Sequence, residues 1–257
     1  MKALITNDDG ITSTGLFHSK TVMDTITDTI AVAPVTQQSG AGHSITLLDP
    51  LRISEVKLND GSIGYGISGT PTDCVIMGLF ELMDEFPDII VSGINMGENL
   101  SIANLTTSGT LGATFEASKF GIPAIAVSLQ LDSEELKLKK GEVQLDFDLC
   151  GRLLKKLTKK VLDKGMPENV NILNLNVPLN PDTEKLKVTH LAKNMYTTDI
   201  ESRIDPSGRK YYWIYGEPIC DDLEGTDIHT IRSLHQPSIT PLNTNFTSKT
   251  DINKWID

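Results

Sequence analysis

Two adjacent carboxylates, Asp8 and Asp9, stand in the run Thr6-Asn7-Asp8-Asp9-Gly10, directly after the apolar residues Ala3, Leu4 and Ile5. The apolar residues read as a short buried strand. A charge buried at its end is costly unless a partner or a metal compensates it. The two carboxylates also repel each other, so a divalent cation is the natural third party. Asn-Asp-Asp-Gly is equally the composition of a turn, and alone the motif does not choose. Asn95, in Gly93-Ile94-Asn95-Met96-Gly97, offers an amide oxygen suited to a hard cation, or else a turn residue between glycines. Ser39, in Gln38-Ser39-Gly40-Ala41-Gly42-His43, offers a hydroxyl ligand or belongs to a plain Gly-Ser loop. Ser108, Gly109 and Thr110 open a helix, where free backbone N–H groups make an anion site. Simple N-capping explains Ser108 as well. His43 is either a hydrogen-bonded loop residue or a proton donor.

Something must bring these segments together. Short apolar runs at 2–6, 29–33, 88–92 and 122–128 recur through the first half, and the first three run into polar, Gly-rich segments. Continuous β-branched runs without alternation indicate strands covered on both faces, hence a parallel sheet. Helical patterns at 14–26, 73–84 and 109–119 separate them, the second opened by Thr70-Pro71-Thr72. The alternation predicts an α/β fold with helices on both faces. Ligands in such sheets sit outside the carboxyl ends of the strands, where Asp8, Asp9, Ser39 and Asn95 all fall.

The texture changes after about residue 130. An amphipathic helix is predicted near 146–163, then strands at 170–177 and 186–191. The turn Asp205-Pro206-Ser207-Gly208 leads into Tyr211-Tyr212-Trp213-Ile214-Tyr215, a hairpin-like aromatic strand. Large rings on both faces of one strand suggest contact with another subunit.

With 257 residues, 39% hydrophobic, and no apolar run long enough to span a bilayer, the composition is that of a globular protein with no membrane role. Three widely spaced cysteines, Cys74, Cys150 and Cys220, suggest neither a disulfide framework nor a zinc site, which fits a reducing cytoplasm. A net charge of −11 disfavours nucleic-acid polymers. Only Lys2, Lys20, Arg52, Lys57 and Lys119 are basic in residues 1–120, so an anion handled there needs a metal ion and backbone N–H groups.

The ordered motifs resemble the SurE family, stationary-phase survival proteins that act as metal-dependent 5′/3′-nucleotidases. The matching segments are TNDDGI (6–11), VAP with QQSGAGHSIT (32–46), GTPTDCV (69–75), PDIIVSGINMGENL (87–100), SGTLGA (108–113) and GIPAIAVSL (121–129). NLNVP (174–178), DPSGRKYYWI (205–214), GTD (225–227) and SITPL (238–242) continue the match. The resemblance implies one divalent cation per subunit (Mg²⁺, Mn²⁺ or Co²⁺), held by Asp8, Asp9, Ser39 and Asn95. It implies a Rossmann-like core over 1–130, with 131–257 completing that core and adding a β-rich oligomerisation region of a homodimer or homotetramer. Nucleoside monophosphates are the implied substrates. Asp8 and Asn95 are then the catalytic residues, and Gly40, Ser108, Gly109 and Thr110 the phosphate contacts. Cleavage of inorganic polyphosphate and non-catalytic nucleotide binding are the rival readings. One segment departs from the family pattern: NLSIANLTTSGT (99–110) lacks the Asn-Leu-Gly-x-Asp and the Tyr before Ser-Gly-Thr of many bacterial members.

Overall fold

The computed structural model describes residues 1–131, 145–220, 223–248, 250–251 and 253–256. The boundary expected at 130–131 adjoins residues 132–144, which lie outside the described residues. In chain order the elements are β1 (Lys2–Thr6), α1 (Thr14–Met23), β2 (Asp28–Pro34), β3 (Ile53–Lys57), β4 (Ile63–Ile67) and α2 (Pro71–Met77). After α2 comes a π-helical turn (Gly78–Leu82), then β5 (Ile89–Met96), α3 (Ser101–Thr107), α4 (Gly109–Lys119), β6 (Ala124–Leu129) and α5 (Asp148–Lys164). The rest comprises β7 (Ile172–Val177), β8 (Lys187–Val188), β9 (Asp199–Ile204), β10 (Lys210–Tyr215), a second π-helical turn (His229–Ser233), β11 (Ser238–Leu242) and the short α6 (Asn253–Ile256).

Among the described residues one sheet runs β3-β4-β2-β1-β5-β6-β7-β11-β8, and β9 and β10 form a separate hairpin. The strands from β4 through β2, β1, β5 and β6 to β7 are parallel, as the unbroken apolar runs predict. Antiparallel pairing enters only at β3 on one side and β11 on the other. Successive side chains alternate between two cores, as strand geometry demands. Ala3, Ile5, Ile89 and Val91 face α1 and α5, while Leu4 and Ile90 face α2 and α4. The helix pattern near 146–163 appears as α5, burying Cys150, Leu153, Leu154, Leu157 and Val161 along one stripe. Each such aliphatic side chain contributes about 1.5–3 kcal/mol when fully buried.

The structure departs from the predicted elements in informative places. The helix expected at 73–84 begins at Pro71, because Thr70 and Asp73 form a reciprocal capping box, and gives way to the π-helical turn after Met77. The strand expected at 186–191 shrinks to two residues, Lys187 and Val188. Several elements escape the pattern reading, among them β11, the second π-helical turn and α6. So do α3, the edge strand β3 with its neighbour β4, and β9, the polar partner of the aromatic strand.

Candidate functional site

Asn7 sets the loop that presents the two carboxylates. Its side chain is fully buried; Nδ2 donates to Ser13 Oγ at 2.6 Å, and Oδ1 accepts from Gly10 N at 3.1 Å. Ser13 in turn caps α1 by accepting from Leu16 N at 3.2 Å. The loop is thereby closed on itself, and Asp8 and Asp9 take their positions from its backbone.

Asp8 is buried, and its Oδ1 accepts a 2.7 Å hydrogen bond from Thr110 Oγ1 in the first turn of α4. The approach is close enough that residue 109 must be glycine: a Cβ there would stand 2.9 Å from Asp8 Cβ. Asp9 is half-buried, and its Oδ2 accepts from Met96 N at 2.9 Å. That amide belongs to the residue after Asn95. The two carboxylates thus reach different neighbours, one the start of α4 and the other the end of β5.

Asn95 is buried at the end of β5, just past a register shift between Ser92 and Asn95. Irregularities of this kind re-aim side chains beside functional sites. Asn95 Nδ2 donates to Gly97 O at 2.6 Å, which fixes the amide plane. Its Oδ1 is buried and has no hydrogen-bond partner among the described residues. A buried acceptor left in this state is costly unless something outside the chain engages it. Carboxylate and amide oxygens are the donor types that suit a hard divalent cation. Among the described residues no group of three or more His, Cys, Asp or Glu is placed to hold a metal.

The remaining predicted residues are placed as follows. Ser39 and Gly40 are exposed on the loop after β2, and Gln37 Nε2 donates to Ser39 Oγ at 3.0 Å. That loop is tied to the carboxylates through Gln38 N, which donates to Asp8 O at 2.7 Å. Ser108 is the N-cap of α4, accepting from Leu111 N at 3.2 Å. The N–H groups of Gly109 and Thr110 open α4 and have no carbonyl of that helix to bond. His43 turns to the side of α4, where Nε2 meets the buried Glu116 Oε2 at 2.8 Å, and Lys119 Nζ bonds Glu116 Oε1 at 2.9 Å. It is a bonded loop residue there. An apolar pocket of about 1020 Å³ lies beside it, lined by Ile102, Leu105, Phe115 and Phe246 among others, and none of Asp8, Asp9 or Asn95 lines it.

Sequence reasoning missed the roles of Asn7, Thr110 and Gly109 in holding the carboxylates. A glycine at the first helical position was a usable signal for close approach. The 102-residue separation of Thr110 from Asp8 left no local trace.

The mostly parallel sheet, with Asp8, Asp9 and Asn95 at the carboxyl ends of its strands beside the start of α4, defines an open α/β protein of the kind that binds ligands at that edge. The family model described as survival protein SurE matches residues 3–198, and the chain belongs to the SurE family. It is 51% identical to a protein of Methanosphaera stadtmanae named 5′-nucleotidase SurE, over the whole of both chains. A protein of the same name from Methanobrevibacter smithii is 49% identical, again over all of both chains. Among solved structures, the SurE protein from Aquifex aeolicus superposes with a TM-score of 0.80 at 32% identity, covering 100% of this chain and 98% of that one.

Proposed function

We propose that this chain is a divalent-metal-dependent phosphomonoesterase that hydrolyses nucleoside 5′-monophosphates, with 3′-monophosphates as further substrates. The observation that carries the reading is the pair of carboxylate contacts, Asp8 to Thr110 and Asp9 to Met96 N, which joins oxygen donors to a helix N-terminus. The relatives named 5′-nucleotidase SurE support the nucleotide as substrate class.

Asp8, Asp9, Asn95 and Ser39 are the residues we assign to one cation. When bound, Mg²⁺, Mn²⁺ or Co²⁺ supplies polarisation of the phosphoryl oxygens and a more acidic water. Asn95 serves through Oδ1, since Nδ2 is taken by Gly97 O. Asp8, oriented by Thr110, is our choice to take the proton of the attacking water. The backbone N–H groups of Gly109 and Thr110, with Ser108 and Gly40 beside them, receive the phosphoryl oxygens. Stabilisation of charge on the transferring group is then the main catalytic contribution.

We assign the enzyme to the cytoplasm as a homodimer or homotetramer. All three cysteines are free, and among the described residues no helix is long and apolar enough to cross a membrane. The β9–β10 hairpin, exposed on both faces, supports assembly. The test is phosphate release from 5′- and 3′-monophosphates and from polyphosphate, with each cation and with chelator. Chelator-sensitive release from 5′-monophosphates supports the proposal. Release from polyphosphate alone would replace it with phosphoanhydride cleavage, and nucleotide binding without release would reduce the chain to a binding module.

A further inference from the structure

Arg232 lies in the second π-helical turn, far along the chain from the carboxylates, yet its guanidinium joins three segments. Nε and Nη2 donate to Glu98 Oε1 at 3.2 and 2.9 Å, and Nη1 donates to Met195 O and to Ile219 O, both at 2.7 Å. Four of its five N–H donors are thereby engaged. The pair is closed to water, with side-chain exposures of 5% for Arg232 and 8% for Glu98, and the Tyr196 ring covers the guanidinium at 5.2 Å.

The three segments are unrelated in sequence but meaningful together. Met195 and Ile219 are the two sides of the base of the β9–β10 arm, where Ile219 N donates to Met195 O at 2.9 Å and Thr197 N to Glu217 O at 2.9 Å. Glu98 follows Gly97, whose carbonyl holds the Asn95 amide. The next residue, Asn99, is pinned from β6 and β7: Asn99 N donates to Asn176 Oδ1 at 2.8 Å, and Asn99 Nδ2 to Ser128 Oγ at 2.9 Å. Glu98 therefore lies between Gly97, whose N–H is held by Leu129 O at 2.8 Å and whose carbonyl holds the Asn95 amide, and the pinned Asn99.

We propose that Arg232 is a positioning residue that clasps the base of the arm to the Asn95–Asn99 segment and so holds the geometry of the cation site. The inference rests on the proposed assignment of Asn95 as a ligand. Lysine cannot replace the clasp, because one ammonium on a flexible stem does not reproduce the planar fork that reaches three acceptors. Groups that orient metal ligands from outside typically alter affinity by roughly 10- to 100-fold when lost.

The test compares the full-length parent with Arg232→Lys and Glu98→Gln, reading amide hydrogen exchange and Mn²⁺ affinity by calorimetry. Arg232→Lys should speed exchange both at 95–101 and at 195–219 and weaken Mn²⁺ binding roughly 10-fold. Glu98→Gln keeps the shape and an acceptor oxygen but loses the charge. It should speed exchange at 95–101 while the arm base stays protected. Faster exchange confined to 195–219, with Mn²⁺ affinity unchanged, would overturn the proposal and leave Arg232 as a bracket of the arm alone. Should Arg232→Lys fail to fold, a Glu98→Gln protein with parental exchange and affinity would overturn it equally. A parent inactive on every nucleotide tested would remove the catalytic reading, while exchange at 95–101 would still judge the clasp.

Discussion

Thr110 Oγ1 donates to Asp8 Oδ1 at 2.7 Å across 102 residues of sequence, with the threonine wholly buried. The hydroxyl proton is thus committed to the carboxylate, and the side chain orients Asp8. Thr110→Val keeps the shape and deletes the bond. Hydrogen bonds to a charged group contribute about 1.5–3 kcal/mol, so a loss of this order in stability is expected. The kcat/KM for nucleoside monophosphates should fall roughly 10-fold or more, with Thr110→Ser restoring most of it. Parental steady-state kinetics for the valine variant would remove Thr110 from the site.

Asp9→Asn separates charge from shape. Asparagine keeps an oxygen to accept from Met96 N, while the repulsion between neighbouring carboxylates disappears. Thermal stability in chelator should hold or rise, and hydrolysis should be nearly abolished at every cation concentration tried. Retained activity together with a marked loss of metal-free stability would make the carboxylate structural.

The parts of this arrangement visible in the sequence are those with a local signature. β1, β5 and α4 announce themselves through apolar runs, a Ser-Gly start and the stop signals Gly121 and Pro123, and the acidic and amide residues follow from their places at strand ends. The edge strand β3 was hidden because an exposed edge carries mixed residues such as Ser54, Glu55 and Lys57, and β4, paired on both sides, because Gly64 and Gly66 break its apolar run. Helix α3, Ser-Ile-Ala-Asn-Leu-Thr-Thr, has poor intrinsic helix propensity, and its start is fixed from a distance. Ser101 N donates to Asp227 Oδ2 at 2.7 Å, and Asp227 Oδ1 accepts from Ala192 N and Ile228 N. Contacts of this range exist only once the second half has folded onto the first.

Ser101 itself carries a testable cost. Its φ is +68°, in the left-handed region, at the position where the family resemblance expects glycine. Its hydroxyl is buried and has no hydrogen-bond partner among the described residues. Ser101→Gly should stabilise the protein by about 1 kcal/mol, relief of backbone strain outweighing the added freedom of the unfolded chain. The melting temperature should rise by about 2–4 °C. A fall would show that the side chain makes a contact worth more than the strain.

Burial lowers the His18 pKa from its ordinary value of 6.5, with Asp148 and Asp146 opposing the shift in part. The ring sits half-buried against Phe147, with centroids 5.8 Å apart. A base whose folded pKa is depressed binds fewer protons folded than unfolded, so stability declines as pH falls through 6.5 toward the lower folded value. Denaturant titrations of His18→Gln should show a flatter acid limb than the parent between those values. Identical slopes would assign the acid sensitivity elsewhere.

The β9–β10 arm is the last element whose purpose the monomer does not explain. Every residue of both strands is exposed, including Ile200, Tyr212, Trp213 and Ile214 at 65, 61, 57 and 78%. An isolated two-stranded hairpin is marginal in water, and here the ladder runs six residues a side from Lys210↔Ile204 to Tyr215↔Asp199 with neither face packed. Tyr212 and Trp213 point to opposite faces, because successive side chains in a strand alternate. A partner that covers the arm must therefore meet both residues or grip it from two sides, and exposed Tyr and Trp are favoured at such contacts. The double variant Tyr212→Ala, Trp213→Ala removes a ring from each face without touching the core or any proposed cation ligand. Light scattering after size exclusion should show a smaller assembly than the parent, and circular dichroism should be preserved apart from the aromatic signal. An unchanged assembly mass would sink the role of the arm in association.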